Sequence, residues 1–206
     1  MMIERALRYL SAEKTQITLL ALCALLAITF SAYLPALQNS FTNWDDPGYI
    51  LNNEMIRDIS PAGLVNIFTS FHYYLYKPLV ILSFAIEYHF FGLAPFPYHL
   101  TNIIFHLFNC ALVFWLIKKT SNNLNVALLA ALLFGIHPLH VESVAWVTER
   151  KDVLSAFFFL SALIFYHAYR MHQRRSYYYA SIVVFILSLL AKPMGITLPA
   201  VLLLMD

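Results

Sequence analysis

The chain has 206 residues, of which 61% are hydrophobic, 16% aromatic and 12% charged, with a formal net charge of +2. That charged share is about half the ~25% of soluble domains, and no soluble fold of this length hides so much apolar surface, so the composition excludes a water-soluble protein and points to an all-α integral membrane protein. No basic stripe supports nucleic-acid binding, and Cys23 and Cys110 each lie inside an apolar tract, so neither a disulfide framework nor a cysteine metal site is implied.

After Lys14 no charge interrupts the chain as far as Leu37, a tract long enough to cross roughly 30 Å of hydrocarbon. Its apolar core exceeds about 15 residues and further spans follow it, so it reads as a retained first span rather than a cleaved signal. Spans are predicted near 16–37, 99–117, 123–140, 153–169 and 177–191, and another, starting near Met194, breaks off at Asp206. The chain therefore reads as the truncated N-terminal transmembrane module of a longer protein. Three basic clusters, Arg5, Arg8 and Lys14, then Lys118 and Lys119, then Arg170, Arg174 and Arg175, place the N-terminus in the cytoplasm. The opposite side receives a long loop, 38–98, carrying short helices, together with the region from His140 to Asp152 and the turn at Lys192. Leu79 to Phe91 is apolar but too short to cross, and it contains Glu87, so it is expected as a re-entrant or surface helix of that loop. The basic and aromatic run Arg170 to Tyr179 has the makeup of an interface anchor.

Three groups of residues could carry chemistry. The long loop opens with Asn43-Trp44-Asp45-Asp46-Pro47-Gly48-Tyr49; adjacent carboxylates repel, and one of the pair is a candidate base, although Asp before Pro and Gly equally signals a turn or cap. The run His137-Pro138-Leu139-His140-Val141-Glu142 continues to Asp152. On one helix its Glu142, Ala145, Glu149 and Asp152 share a face, as a substrate site or as a water-exposed loop end. His137, His140 and Glu142 are a weak zinc set, because Pro138 disrupts the geometry. Along span two, His99, Asn102, His106 and Asn109 share one helical face, suited to interhelical hydrogen bonding. Lys77, Glu87 and Lys192 read as charges near an interface, or, for the two lysines, as phosphate contacts.

The run from His137 to Leu154 closely resembles a signature of the transmembrane and tetratricopeptide repeat-containing proteins and their bacterial relatives, in the GT-C class of membrane glycosyltransferases. Asn43-Trp44-Asp45-Asp46, Lys77-Pro78-Leu79-Val80 with Gly92 and Tyr98-His99-Leu100-Thr101-Asn102, and Ala191-Lys192-Pro193-Met194 agree in order and spacing. The resemblance implies a GT-C-like multi-span bundle around an external cavity, followed by protein-binding repeats. It implies transfer of a monosaccharide, mannose first, from a polyprenyl or dolichyl phosphate carrier to a hydroxyl, Ser or Thr of a protein. Asp45 and Asp46 match the catalytic acidic position, and Asp152 a second one that binds a divalent metal in some members; no other cofactor is implied. A phosphate leaving group needs no proton, so one carboxylate base suffices, with Arg150, Lys192, Lys77, His140 and Glu142 as candidate contacts to substrate or lipid phosphate. The partners implied are a lipid-linked sugar, a protein acceptor and membrane lipid, in a bacterial inner membrane or the endoplasmic reticulum with the site external or luminal. The competing readings are a non-catalytic anchor of a repeat scaffold and a transporter or channel.

Overall fold

The computed structural model describes residues 2–73 and 75–205, with side chains for 15–73 and 75–204. The side chains of Arg5, Arg8, Lys14 and Asp206 thus lie outside the described ones. Among the described residues, three stretches are long and apolar enough to cross a membrane. The first is Thr15–Gln38, the end of α1 (Met2–Tyr33) and a 3-10 turn beginning at Leu34. After α2 (Pro61–Thr69) and α3 (Pro78–Phe91), the second is α4 (Pro95–Ser121). A left-handed Asn122 (φ 51°) ends α4, and the Asn123 side chain caps α5 (Leu124–Ile136) by accepting from the Asn125 and Val126 amides. The third is Val147–His172, which contains α7 (Arg150–His172). The protein is an all-helical, multi-pass membrane protein, with Leu20, Leu129, Leu133 and Val183 among the large apolar side chains left facing outward.

The stretch read as one span at 123–140 is a bent pair. Pro138 has no amide hydrogen to donate and drives His137 into an extended conformation (ψ 131°), so α5 stops at Ile136 and the chain turns by 49° into the short α6 (Val141–Ala145). Trp146 is extended again (ψ 121°) before a 3-10 turn, Val147–Glu149, leads into α7. The expectation of one helical face carrying Glu142, Ala145, Glu149 and Asp152 fails at this break: Glu142 is on α6, Glu149 in the turn and Asp152 on α7.

A broken helix leaves carbonyls without intrahelical donors, and the polar face of α4 supplies them. His99 Nδ1 meets Ala145 O at 2.9 Å, Asn102 Nδ2 donates to Trp146 O at 3.0 Å and His106 Nε2 meets Gly135 O at 2.8 Å, while Asn109 Nδ2 adds a bond to Val153 O, farther along the chain in the next long helix, at 2.9 Å. Gly135 is needed here for space, since a Cβ would sit 2.6 Å from Thr29 Oγ1 and 3.2 Å from Cys110 Sγ.

The first turn of α7 carries Arg150, fully buried. Its guanidinium pairs with Glu87 of α3 at 2.5 Å and donates to Asn102 Oδ1 (2.8 Å), Tyr98 O (2.7 Å) and Ser83 Oγ (3.3 Å), lying 4.7 Å over the Phe84 ring. Arg150 as a phosphate contact is therefore corrected: it is fully buried, and four of its five N–H donors are used in joining α3, α4 and α7. The Leu79–Phe91 helix, expected as a re-entrant or surface helix, buries Val80, Ile81, Phe84, Ala85 and Glu87 among loop residues Tyr49, Ile50, Ile56 and Ile67, while Ile86, Phe90 and Phe91 are exposed. The loop is a packed cap on that end of the bundle.

Beyond a left-handed Gln173 (φ 54°), α8 (Arg175–Ala191) returns along α7. Small residues allow the close approach: Ser188 Oγ donates to Ser155 O and Ser181 Oγ to Ala162 O, each at 3.1 Å. A 3-10 turn, Pro193–Thr197, then leads into α9 (Leu198–Met205).

Removing one partner of a buried ion pair strands the other. Arg150→Met is expected to cost about 3–5 kcal/mol, and adding Glu87→Leu to recover much of that loss. Denaturation of the detergent-solubilised protein measures both; a double variant no more stable than Arg150→Met would show that the stranded carboxylate is not the cause.

Candidate functional site

The two adjacent aspartates at the head of the loop have opposite surroundings. Asp46 is fully buried. Its Oδ2 accepts from Thr42 N (2.7 Å) and Thr42 Oγ1 (3.1 Å), while Oδ1 accepts from Trp146 Nε1 (3.0 Å), Thr148 N (3.2 Å) and Thr148 Oγ1. This one carboxylate ties the loop to the break between α6 and α7. The Asp45 backbone carbonyl accepts from Gly48 N and Tyr49 N at 3.0 Å, starting the turn, but its partly exposed carboxylate holds no hydrogen bond among the described residues. Beside it Trp44 projects outward, 80% exposed, its ring edge-on to Trp146 at 6.5 Å.

Asp45 acts on Lys77, one of three neighbouring lysines that are each held by a different partner. Lys77, at the start of α3, is buried; its Nζ donates to Tyr49 Oη at 2.7 Å and lies 4.2 Å above that ring. Burial, then the charge of Lys151, push the Lys77 ammonium down to about 8, with Glu149 and Asp45 pulling upward and Lys192 downward. Burial, and next the charge of Asp45, push the Tyr49 phenol up to about 12. Lys151 pairs with Glu149, and Lys192 with Asp152, whose other oxygen accepts from Ser143 Oγ at 3.0 Å. Loop, α3, the α6–α7 break and the end of α8 thus bring Asp45, Glu149, Lys151 and Lys192 within electrostatic reach of Lys77, with Asp152 joined to the group through Lys192.

Lys151 is not among the candidates read from sequence, and Glu149 enters there only as part of a shared helical face. The run Glu149-Arg150-Lys151-Asp152 was visible, but which of its charges turns inward depends on the break at Trp146. His140 is half-buried, 4.7 Å from the Phe134 ring and 6.1 Å from His106, on a cavity of about 230 Å³ that also touches Asp152. Glu142 is exposed and lines neither this cavity nor its neighbour, so its expected substrate contact is set aside.

No group of three or more His, Cys, Asp or Glu side chains able to hold a metal exists among the described residues. Asp152 offers one carboxylate already in contact with a lysine ammonium, so the residues present do not fit a divalent cation there, and His137, His140 and Glu142 do not form a zinc set.

Comparison with known proteins agrees with the motifs. Protein O-mannosyl-transferase TMTC1 of Homo sapiens is 34% identical over 146 residues, covering 66% of this chain and 16% of the relative. Protein O-mannosyl-transferase TMTC3 of Homo sapiens is 38% identical over 91 residues, 44% of this chain and 10% of the relative. Protein O-mannosyl-transferase Tmtc1 of Drosophila melanogaster is 29% identical over 196 residues, 91% of this chain and 23% of the relative. The chain is a homologue of the TMTC protein O-mannosyl-transferases. It spans about a sixth of the human TMTC1 length. No family model matches the chain, and no solved structure matches it.

Two consequences of this geometry are measurable. Asp46→Ala leaves the Trp146 indole N–H and the Thr148 donors buried without an acceptor, which costs about 1–3 kcal/mol; chemical denaturation reads the loss, and a shifted Trp146 fluorescence reads the released loop. For Lys77 the folded state binds its proton less tightly than the unfolded chain, so the unfolded state is the more protonated between about pH 8 and the ordinary lysine value of 10.5. Wild type should therefore gain stability relative to Lys77→Met as pH rises through that window, with the difference flat below it. A difference that does not move with pH would refute the lowered Lys77.

Proposed function

We propose that the full-length protein is a membrane glycosyltransferase that moves one sugar, mannose first, from a polyprenyl or dolichyl phosphate carrier to a Ser or Thr hydroxyl of a protein. The names of its relatives support protein O-mannosylation. The observation that carries the mechanism is the uncommitted carboxylate of Asp45, held by its buried neighbour at the edge of a lysine cluster.

In this reading Asp45 accepts the proton of the acceptor hydroxyl as that oxygen attacks the anomeric carbon. The bond from the anomeric carbon to the phosphate oxygen breaks, its electron pair stays on the phosphate, and the proton leaves Asp45 for water. Lys192 and Lys151, with Lys77 behind them, offset the charge that builds on the leaving phosphate. They replace Arg150 in that role. Asp46 acts as a positioning residue, and Asp152 orients the Lys192 ammonium. The Asp45 end of the bundle is then the external or luminal side, and the N-terminus cytoplasmic.

The transporter reading loses its main support, because the His99, Asn102, His106 and Asn109 face gives its donors to backbone carbonyls rather than to an ion path. A non-catalytic anchor is separated by experiment. Membranes carrying the full-length protein, wild type or Asp45→Asn at matched levels, receive labelled mannosyl-phosphoryl polyprenol and a protein acceptor. Asp45→Asn should lower transfer by at least about 100-fold. Undiminished transfer in the variant would overturn the assignment of the base; no transfer by wild type from any lipid-phosphate sugar would overturn the enzyme.

A further inference from the structure

Between α4, α5 and the α6–α7 break lies the cavity of about 230 Å³, lined by His106, Asn109, Phe134, His140, Ser143 and Asp152 among others. Its polar wall is made mainly of acceptors. Asn109 is 1% exposed; its amide nitrogen is engaged by Val153 O, while its Oδ1 accepts no hydrogen bond from any described residue. Ser143 gives its hydroxyl hydrogen to Asp152, so the serine lone pairs and the carboxylate both remain as acceptors. The His140 ring nitrogens make no hydrogen bond among the described residues, and the imidazole stands against Phe134. A partly enclosed hollow in which acceptors outnumber donors favours an occupant that donates. The Asp152 carboxylate also disfavours an anion inside, so the occupant is a neutral, hydroxyl-rich group.

The neighbouring cavity has the complementary character. It measures about 340 Å³, shares Phe134, Asp152 and Ala156 with the first, and is otherwise mostly apolar, with Phe159, Leu160 and Met194 along it and Lys192 at its polar edge. Lys192 reaches Asp152 from that side. Three chemistries therefore stand in a row: an apolar groove, an ammonium, and an acceptor-lined hollow with an aromatic wall. A lipid-phosphate monosaccharide has the same three in the same order.

We infer that the 230 Å³ cavity receives the sugar ring of the donor, with Asn109, His140 and Ser143 reading its hydroxyls and Phe134 packing on its apolar face. The inference rests on the glycosyltransferase reading for the nature of the donor, and it adds the residues that set sugar preference. At about 230 Å³ the cavity has room for one sugar ring.

The test is binding, which needs no turnover. Full-length protein in lipid nanodiscs is titrated with short-chain polyprenyl phosphate bearing mannose, bearing a disaccharide, or bare. Wild type should bind the mannosyl form at least about tenfold more tightly than the other two. Ser143→Ala and His140→Phe, which keep the packing, and Asn109→Leu, which also gives up the Val153 bond, should each reduce that preference by about three- to tenfold and leave bare polyprenyl phosphate within twofold. Equal binding of the mannosyl and bare forms by wild type, an unchanged preference in all three variants, or a parallel loss for both ligands would each overturn the pocket. Transfer measured on the same preparations keeps the two ideas apart: a mannose preference that the variants reduce, without transfer, retains the pocket and removes the enzyme, whereas transfer with variant-insensitive binding retains the enzyme and removes the pocket.

Discussion

A peptide carbonyl inside a bundle of apolar helices has no water to bond to, and the chain from Gly135 to Trp146 exposes a series of them by breaking its helix. The hydrogen-bonding face of α4 is the answer to that constraint. Because α4 donates to the carbonyls of Gly135, Ala145 and Trp146, the bend at His137 and the extended residue Trp146 persist in an apolar setting. The consequence for function is positional: an irregular segment is held at the head of the bundle, where Ser143, Glu149, Lys151 and Asp152 line up beside the loop.

The same economy appears in two pairs of chain neighbours. Asp46 is buried and saturated with donors, while Asp45 is left open; Arg150 is buried against Glu87, Asn102 and Phe84, while Lys151 faces Glu149 and the loop cluster. In each pair one charged group holds elements together and the other is presented. A carboxylate with five donors around it cannot move to take a proton without releasing them, and a buried guanidinium with most of its donors used cannot turn to a phosphate. Burial and hydrogen bonding thus separate residues that chemistry alone would rank as equals.

The similarity to the TMTC protein O-mannosyl-transferases covers most of this chain in the Drosophila melanogaster relative but only a small part of each relative's length. What this stretch contributes is a packed loop, a broken helix pair and the lysine and carboxylate cluster between them. The two cavities meet at Asp152, so the acid that sequence motifs single out also stands at the boundary between the acceptor-lined and the apolar hollows.

Much of the architecture was legible in the sequence because it depends on sums over many residues. Charge-free apolar tracts must be helical in hydrocarbon, so the all-α membrane fold followed from composition, and the three- and four-residue spacing of His99, Asn102, His106 and Asn109 announced an inward polar face. The Asn43 to Asp46 and His137 to Leu154 motifs indicated the family. Tertiary structure alone decided which member of each charged pair is buried to hold elements together. Asp45 and Asp46, or Arg150 and Lys151, differ by one position along the chain, yet a change of one position turns a side chain toward different neighbours. Whether it meets an indole N–H, a buried glutamate or open space is set by elements some 50 to 100 residues away.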